Sequence, residues 1–565
     1  MLRVVTSHLP RQITRTSHFA AARVGSSSQT SIETGFEPST VYANPICLQM
    51  DQRILAAVTP EEILTVLVTH RGALFVHNLV TSLVSLSHMA RQSVPFSRAK
   101  ELRNPDLYEK TERDKMLSDP RYDLLIRDLI DYSQQLDLKS IQTILLSLER
   151  LDHCQYKLVG ALLKRIYSMD ITADQISTIV SIGQSLEWAG FAKAESFYTK
   201  LALVVETECQ EMSKGDFLNS LVLYSKLDRL HAGAMAALAK QIPSRLADMS
   251  AREMGIAAIG ISEFGSAVGG SPEAVDGIAT RMLSLEQFPV REMIRTAVSL
   301  RRVNVANRDF LSAALRTITH QLEEAQSMRE RMESSVANIA DVSQLFYSAA
   351  YFGIGDPRDI STILLPYIQD NFDVVTEESA IRFLFTVSMF PECVTATTGP
   401  LISLLIRKIA SATDSWEKHK SLIISVFFSK CMQFSFIDCE FRKLVIDSSL
   451  SHYLTARRGY GVPYPETSHG LFSALKEAAS DTAVEMQFNA WIPNSPYNAD
   501  ILIPEDRTAI LVLSRFGSDG KLVGTDLLQA KQIESLGWRV IALDRKQLME
   551  LQQAVIHSIL AQIVS

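Results

Sequence analysis

The side chains best placed to do chemistry in this 565-residue chain are cations interleaved with aromatic rings near its C-terminus. Arg457-Arg458-Gly459-Tyr460, with Tyr464 close behind, sets two guanidinium groups beside two phenol rings. Guanidinium forks match phosphate oxygens and aromatic faces stack on bases, so the combination points to single-stranded nucleic acid. Arg515, Lys521, Lys531 and Arg539 follow as candidate phosphate contacts. The signatures of enzymes are missing. There is no G-x-x-x-x-G-K-[ST], no G-x-S-x-G, no H-E-x-x-H and no dinucleotide fingerprint. The glycine-rich stretch from Gly260 to Gly277 has no lysine at P-loop spacing, and Ser271-Pro272-Glu273 within it reads as a turn and helix start. His88, His153, His231 and His320 lack partner spacing. Cys47, Cys154, Cys209, Cys393, Cys431 and Cys439 are scattered with no C-x-x-C pair, which argues against a zinc site or a disulfide framework and fits a reducing compartment. The expectation is binding without catalysis, and without cofactor or metal.

Electrostatics limits how that binding can work. The whole chain carries 56 basic and 63 acidic residues, a net charge of −7. Its first 35 residues hold Arg3, Arg11, Arg15, Arg23 and only Glu33, or +3, so the remainder is near −10. Nucleic-acid contact must therefore come from local patches, not from a basic surface overall. Residues 498–565 carry eight acidic and seven basic side chains, so that stretch too is nearly neutral.

The C-terminal cations need elements to hold them. Asn498-Ala499-Asp500-Ile501-Leu502-Ile503 and Thr508-Ala509-Ile510-Leu511-Val512-Leu513 read as two strands of a hairpin, β-branched and apolar. A turn over Gly517–Gly520, a helix opening at Gly524-Thr525, a strand at Gly537-Trp538-Arg539-Val540-Ile541-Ala542-Leu543 and a closing helix complete a small α/β unit.

This order, with Asp500, Gly524, Thr525, Gly537 and Trp538 at its motif positions, resembles the RAP domain, a module found mainly in mitochondrial and plastid RNA-handling proteins. The resemblance covers about the last 70 residues. It implies a restriction-endonuclease-like fold, in which an acid on one strand and Glu-x-Lys on the next hold a divalent metal. Asp500 occupies the first acid position, but Leu511 and Leu513 stand where the second acid and the lysine would be. One carboxylate is too little to hold a catalytic metal, so the resemblance implies binding and disfavours a metal-dependent nuclease. It also assigns Trp538 to packing helix on sheet, ahead of base stacking.

Upstream, the chain reads as helix. A serine within an apolar stretch recurs at Ser147, Ser185, Ser225, Ser262, Ser299, Ser348, Ser388 and Ser429. Helix-start residues stand 12 or 13 positions earlier in several units: Thr172, Ser213 with Asp216, Ser250 with Glu253, Ser335 and Thr376. Two features in one phase indicate repeats, each a helical hairpin with the serine in its first helix and a second helix such as Leu158–Tyr167 or Leu401–Ile409. The charged stretch Gln321–Glu333 lengthens one unit and extends a helix into solvent. These irregular units resemble the octotricopeptide-like and FAST-kinase-like helical repeats that precede RAP domains, as does the segment Glu62–His88.

Thr59-Pro60-Glu61-Glu62 is a helix start with Glu62 placed to close a capping box, followed by an apolar pattern to about Met89. Pro95, Pro105 and Pro120 break residues 92–120 into a connecting loop. The Arg- and Ser-rich stretch before Glu33 has the composition of a mitochondrial presequence. No transmembrane helix is expected, because His70, Arg71, His77 and Asn78 interrupt the most apolar segment.

The domain reading is a presequence over 1–35, an N-terminal helical segment and linker over 36–120, a repeat array over 121–455, a linker over 456–497 and a RAP-like module over 498–565. The fold expected is mainly α, an irregular α-solenoid of hairpin repeats closed by a small α/β RAP domain. The resemblance implies a mitochondrial matrix protein that binds a mitochondrial transcript or rRNA and acts in RNA processing, RNA stability or ribosome assembly. Ribosomal or ribonucleoprotein partners are expected, and DNA is not. The competing reading is a structural or assembly subunit, for instance of the mitochondrial ribosome, that binds mainly protein.

Overall fold

A computed structural model describes residues 44–92; 113–410 except 193, 228–230, 264–270, 286–288, 328–337 and 396; 466–478; 485–545 except 494, 496 and 514; and residues 548 and 559. The presequence reading, Arg457, Arg458, Tyr460, Tyr464, Ser335 and Ser429 lie outside the described residues. The chain is mainly helical with a small C-terminal four-stranded sheet, and it divides into two compact units, Met1–Leu227 and Asp228–Ser565. No helix among the described residues is long and apolar enough to cross a membrane.

In the first unit the helices are α1 (Pro45–Ala56), α2 (Pro60–Thr69), α3 (Val76–Gln92), α4 (Pro120–Asp131), α5 (Leu138–Arg150), α6 (Tyr156–Tyr167), α7 (Ile176–Trp188), α8 (Glu195–Glu208) and α9 (Lys214–Lys226). Helices α1, α3, α5, α7 and α9 touch in succession, while α4 packs on α6 behind them. Thr59 caps α2 as expected, accepting from the Glu62 amide at 3.3 Å. The Glu62 carboxylate takes the Val58 amide at 2.7 Å, so the reciprocal bond falls one residue before the cap. The apolar run behind it forms two helices, α2 and α3, separated by a 3₁₀ turn at Arg71–Ala73.

The second unit continues with α10 (Ala232–Arg245), α11 (Ala251–Ser262), α12 (Ser271–Leu283), α13 (Val290–Arg302), α14 (Arg308–Ser327), α15 (Ile339–Tyr351), α16 (Pro357–Asp359, a π turn at Ile360–Leu364, then Leu365–Asp370), α17 (Glu377–Met389) and α18 (Gly399–Ala410). Helices α11, α13, α15 and α17 form one row, and α10, α12, α14 and α16 a second.

The serine column lies where neighbouring first helices meet. Ser147, Ser185, Ser262, Ser299, Ser348 and Ser388 are all buried. Ser262 donates to Ser299 on the next helix at 3.2 Å, and Ser185 to Glu149 at 3.1 Å. A small side chain at these points lets the backbones approach closely. Ser225 is half-buried and turns back to the Val222 carbonyl at 2.8 Å.

The expected caps hold at Ser213, Ser250 and Thr376, with a complete capping box between Ser250 and Glu253. Thr172 stands directly before the helical stretch that becomes α7. A 3₁₀ turn at Ala173–Gln175 intervenes, and α7 starts at Ile176 with no side-chain cap. The cap of α15 is Asn338, whose oxygen accepts from the Asp341 amide at 2.9 Å.

The C-terminal module contains α19 (Glu466–Ala478), β1 (Gln487–Trp491), β2 (Asn498–Ile503), β3 (Thr508–Leu513), α20 (Gly524–Ser535) and β4 (Arg539–Asp544). The sheet runs in the order β1-β2-β3-β4, antiparallel except for the parallel pair β3–β4 that α20 connects. It therefore begins before residue 498, within the stretch read as a linker. Leu471 and Leu475 of α19 pack under Ile501, Ile503, Ile510 and Ile541. On the opposite side Leu502, Ala509 and Leu511 meet Ile533 and Trp538.

Candidate nucleic-acid interface

The cations of the module are placed by a second, smaller hairpin between β3 and α20. Phe516 bridges Leu522, the Gly517 amide donates to the Lys521 carbonyl at 2.8 Å, and the Val523 amide to the Arg515 carbonyl at 3.1 Å. Gly520 closes the turn at φ +73°, a conformation open to glycine at no steric cost. Arg515 and Lys521 thus sit on facing arms of one short ribbon, both exposed.

The ribbon is fixed to the turn after α13. Its Ser518 amide donates to the Asn304 carbonyl at 2.9 Å, while the Ala306 amide donates to the Ser518 hydroxyl at 3.2 Å. Arg308 pairs with Asp519 at 3.2 Å. Asn304 adopts φ +57°, and its side-chain oxygen accepts the Tyr351 hydroxyl at 2.8 Å.

Helix α20 carries the seam across the next two turns. Gly524 has φ +63°, and a Cβ there would stand 2.4 Å from the Tyr351 ring. Only glycine fits, for reasons of both backbone and space. After α15, Gly353 (φ +69°) would place a Cβ 3.2 Å from Leu527. Beyond α17, Lys531 donates to the Met389 carbonyl at 3.2 Å and its ammonium lies 5.3 Å from the centre of the Phe390 ring. Lys531 thus takes an orphan acceptor at a helix C-terminus, where a cation also meets the favourable end of the helix dipole. Burial pulls the Lys531 ammonium below its usual range, against the opposing pull of Glu392 and Glu534.

The remaining site candidates divide between packing and surface. Arg515 donates its amide to Asp526 at 3.2 Å and its guanidinium to the Thr525 hydroxyl. It also lies close enough to Tyr351 to oppose the rise that burial imposes on that phenol. Gly537 (φ +81°) follows α20 in the left-handed conformation, its amide donating to the Glu534 carbonyl at 2.9 Å. Trp538 is 9% exposed inside the apolar cluster on the α20 side of the sheet, the packing role expected of it. Arg539 is exposed, and its amide donates to the Arg507 carbonyl at 2.8 Å.

Asp500 accepts the Val512 amide across the hairpin at 2.8 Å. Burial raises its carboxyl above the usual carboxylate range, opposed by the Val512 amide and the neighbouring Ser468 hydroxyl. Leu511 and Leu513 face apolar neighbours. Among the described residues no group of three metal-ligating side chains comes together.

Sequence reading missed Asn304, Tyr351, Met389 and Ser518, which make the seam. They lie 142 to 214 residues from their partners where a hydrogen bond joins them to the module, and no local pattern marks them. The left-handed Asn304 after a helix was the one available signal. Comparison with known proteins adds no identity: no family model matches the chain, and a search of curated proteins finds no match.

Proposed function

We propose that this chain is a non-catalytic RNA-binding protein of the mitochondrial matrix, acting in RNA processing, RNA stability or ribosome assembly. In this reading the two helix rows form an irregular solenoid, the C-terminal module is RAP-like, and RNA runs from the helix row onto the module. The observation that carries it is the ribbon Arg515–Val523. It presents Arg515 and Lys521 while Ser518 and Asp519 lock it onto the turn after α13. Cations carried on a fixed ribbon bind a phosphate backbone with less loss of freedom than cations on a tethered tail. The near-neutral charge of the module then matters little, because local geometry selects the phosphates.

The protein-scaffold reading has an observation of its own. Leu55 of α1 and Val58 in the turn before α2 are 65% and 81% exposed, with Ile46 and Val68 also open. Exposed apolar side chains in one neighbourhood favour a protein surface over RNA.

Ultraviolet crosslinking in isolated mitochondria separates the two. Wild type is expected to crosslink to defined transcripts or ribosomal RNA, with crosslinks falling in Arg515→Ala/Lys521→Ala and in Arg457→Ala/Arg458→Ala. Absence of any crosslink, with the protein co-sedimenting in a large particle, would reject RNA binding and support the scaffold.

A further inference from the structure

Arg301 lies near the end of α13, two residues beyond the buried Ser299. Its guanidinium carbon stands 4.7 Å from the centre of the Tyr347 ring on α15. Its Nε is buried without a hydrogen-bond partner. Tyr347, Tyr351 and Arg302 act on its charge, and Tyr347 also shares a hydrogen bond with the guanidinium.

Arg382 stands on α17, on the far side of α15 from Arg301. It reaches the Ser343 hydroxyl at 3.5 Å and Glu378, one turn back on its own helix, at 2.5 Å. With its amide oxygen turned inward, Gln344 accepts from the same guanidinium at 2.9 and 3.2 Å. Burial pulls both guanidiniums below their usual range, and Arg301 adds to the effect at Arg382. The Phe385 ring meets Tyr347 edge-on at 5.0 Å and fixes the ring beside them.

Two guanidiniums drawn out of water on the helices either side of α15 repel each other, and while Glu378 pairs with Arg382, the Arg301 Nε has no hydrogen-bond partner. An anion relieves both penalties at once. Forks from two different helices match an anion with oxygens on more than one side, which a tetrahedral phosphate has and a planar carboxylate lacks. We propose that Arg301 and Arg382, set around Tyr347, form a subsite for a phosphate group on the α13–α15–α17 row. Under the RNA reading, on which this role rests, the group is a backbone phosphate. A free phosphate compound offers the same chemistry.

The test uses the full chain in two arms. One measures binding of a fluorescein-labelled oligouridylate of about 12 nucleotides by anisotropy across a salt series. The other measures the shift in Tm caused by inorganic pyrophosphate against chloride at matched ionic strength. Arg301→Gln/Arg382→Gln is expected to weaken oligonucleotide binding about tenfold, to lower the salt slope by about one, and to abolish the pyrophosphate shift. Oligonucleotide binding unchanged in the double variant, with pyrophosphate moving neither Tm, would overturn the subsite and leave RNA binding standing. A wild type that ignores the oligonucleotide but is stabilised by pyrophosphate through these two arginines keeps the subsite and rejects RNA as its ligand. Should the double variant lose its helical circular dichroism, Arg301→Lys replaces it, keeping the charge without the fork. That variant is expected to bind the oligonucleotide several-fold more weakly, and equal affinity would overturn the proposal.

Discussion

The helix row α11–α13–α15–α17 and the seam that joins the C-terminal module to it are built on opposite logics. The row buries apolar side chains and keeps serine where backbones approach, so its contacts tolerate variation in chemistry provided volume is kept. The seam is made of single-residue contacts: a glycine under a tyrosine ring, a lysine on one carbonyl, a serine clasped by two backbone groups. Contacts of the first kind hold a fold together. Those of the second kind fix one geometry between parts that have cores of their own.

Substitutions at Gly524, Ser348, Asp500 and Lys531 test that contrast. Gly524→Ala combines a left-handed backbone with a Cβ 2.4 Å from Tyr351, and should weaken the seam by on the order of 3 kcal/mol. Limited proteolysis should then release the module, and Tyr351→Ala in the same chain should restore part of the loss. No change in protease resistance would mean that the seam does not depend on this glycine.

Ser348→Leu overfills the row and should lower stability by about 2 kcal/mol in denaturant unfolding. Ser348→Ala should be neutral or slightly stabilising, because the Ser348 hydroxyl is buried without a partner. A large loss on Ser348→Ala would show that the hydroxyl, and not the small volume, is what the row requires.

Asp500 tests whether the acid serves structure or chemistry. Its folded pKa is raised above the ordinary 3.8, so between those two values the native state holds the proton more tightly and stability falls as pH rises. Asp500→Asn keeps an acceptor for the Val512 amide and removes the buried charge. It should match or exceed wild-type Tm at pH 7 and flatten that decline, by about 1 kcal/mol at most. A loss of stability at pH 7 would show that the carboxylate is needed in its charged form.

The smallest effect belongs to Lys531. Its folded pKa is lowered from the ordinary 10.5. Between the lowered value and 10.5 the unfolded state binds more protons, and stability rises with pH. Lys531→Met should abolish that rise while leaving Tm near neutral pH within a few degrees. An unchanged slope from pH 8 to pH 10 would place the titration elsewhere.

Much of the architecture was legible in the residues alone. The caps at Ser213, Ser250 and Thr376, the serine column, the strands at 498–503 and 508–513 and the helix from Gly524 are all local patterns, set by hydrogen bonding and side-chain period within about a dozen residues. β1 was not legible. Gln487-Phe488-Asn489-Ala490-Trp491 is short and mixed, with Asn489 at φ +50°, and it becomes a strand because β2 offers an open edge. Glycine at 524 could be read as a helix start, but its reason, the Tyr351 ring, arrives from a helix 173 positions away. Lys531 looked like any phosphate-seeking cation until the Met389 carbonyl met it. Sequence by itself settled the caps, the serine column and the two strands at 498–503 and 508–513, because those depend on neighbours along the chain. Tertiary structure alone decided which cations are used inside the protein and which remain at its surface, because a charge finds its partner through space.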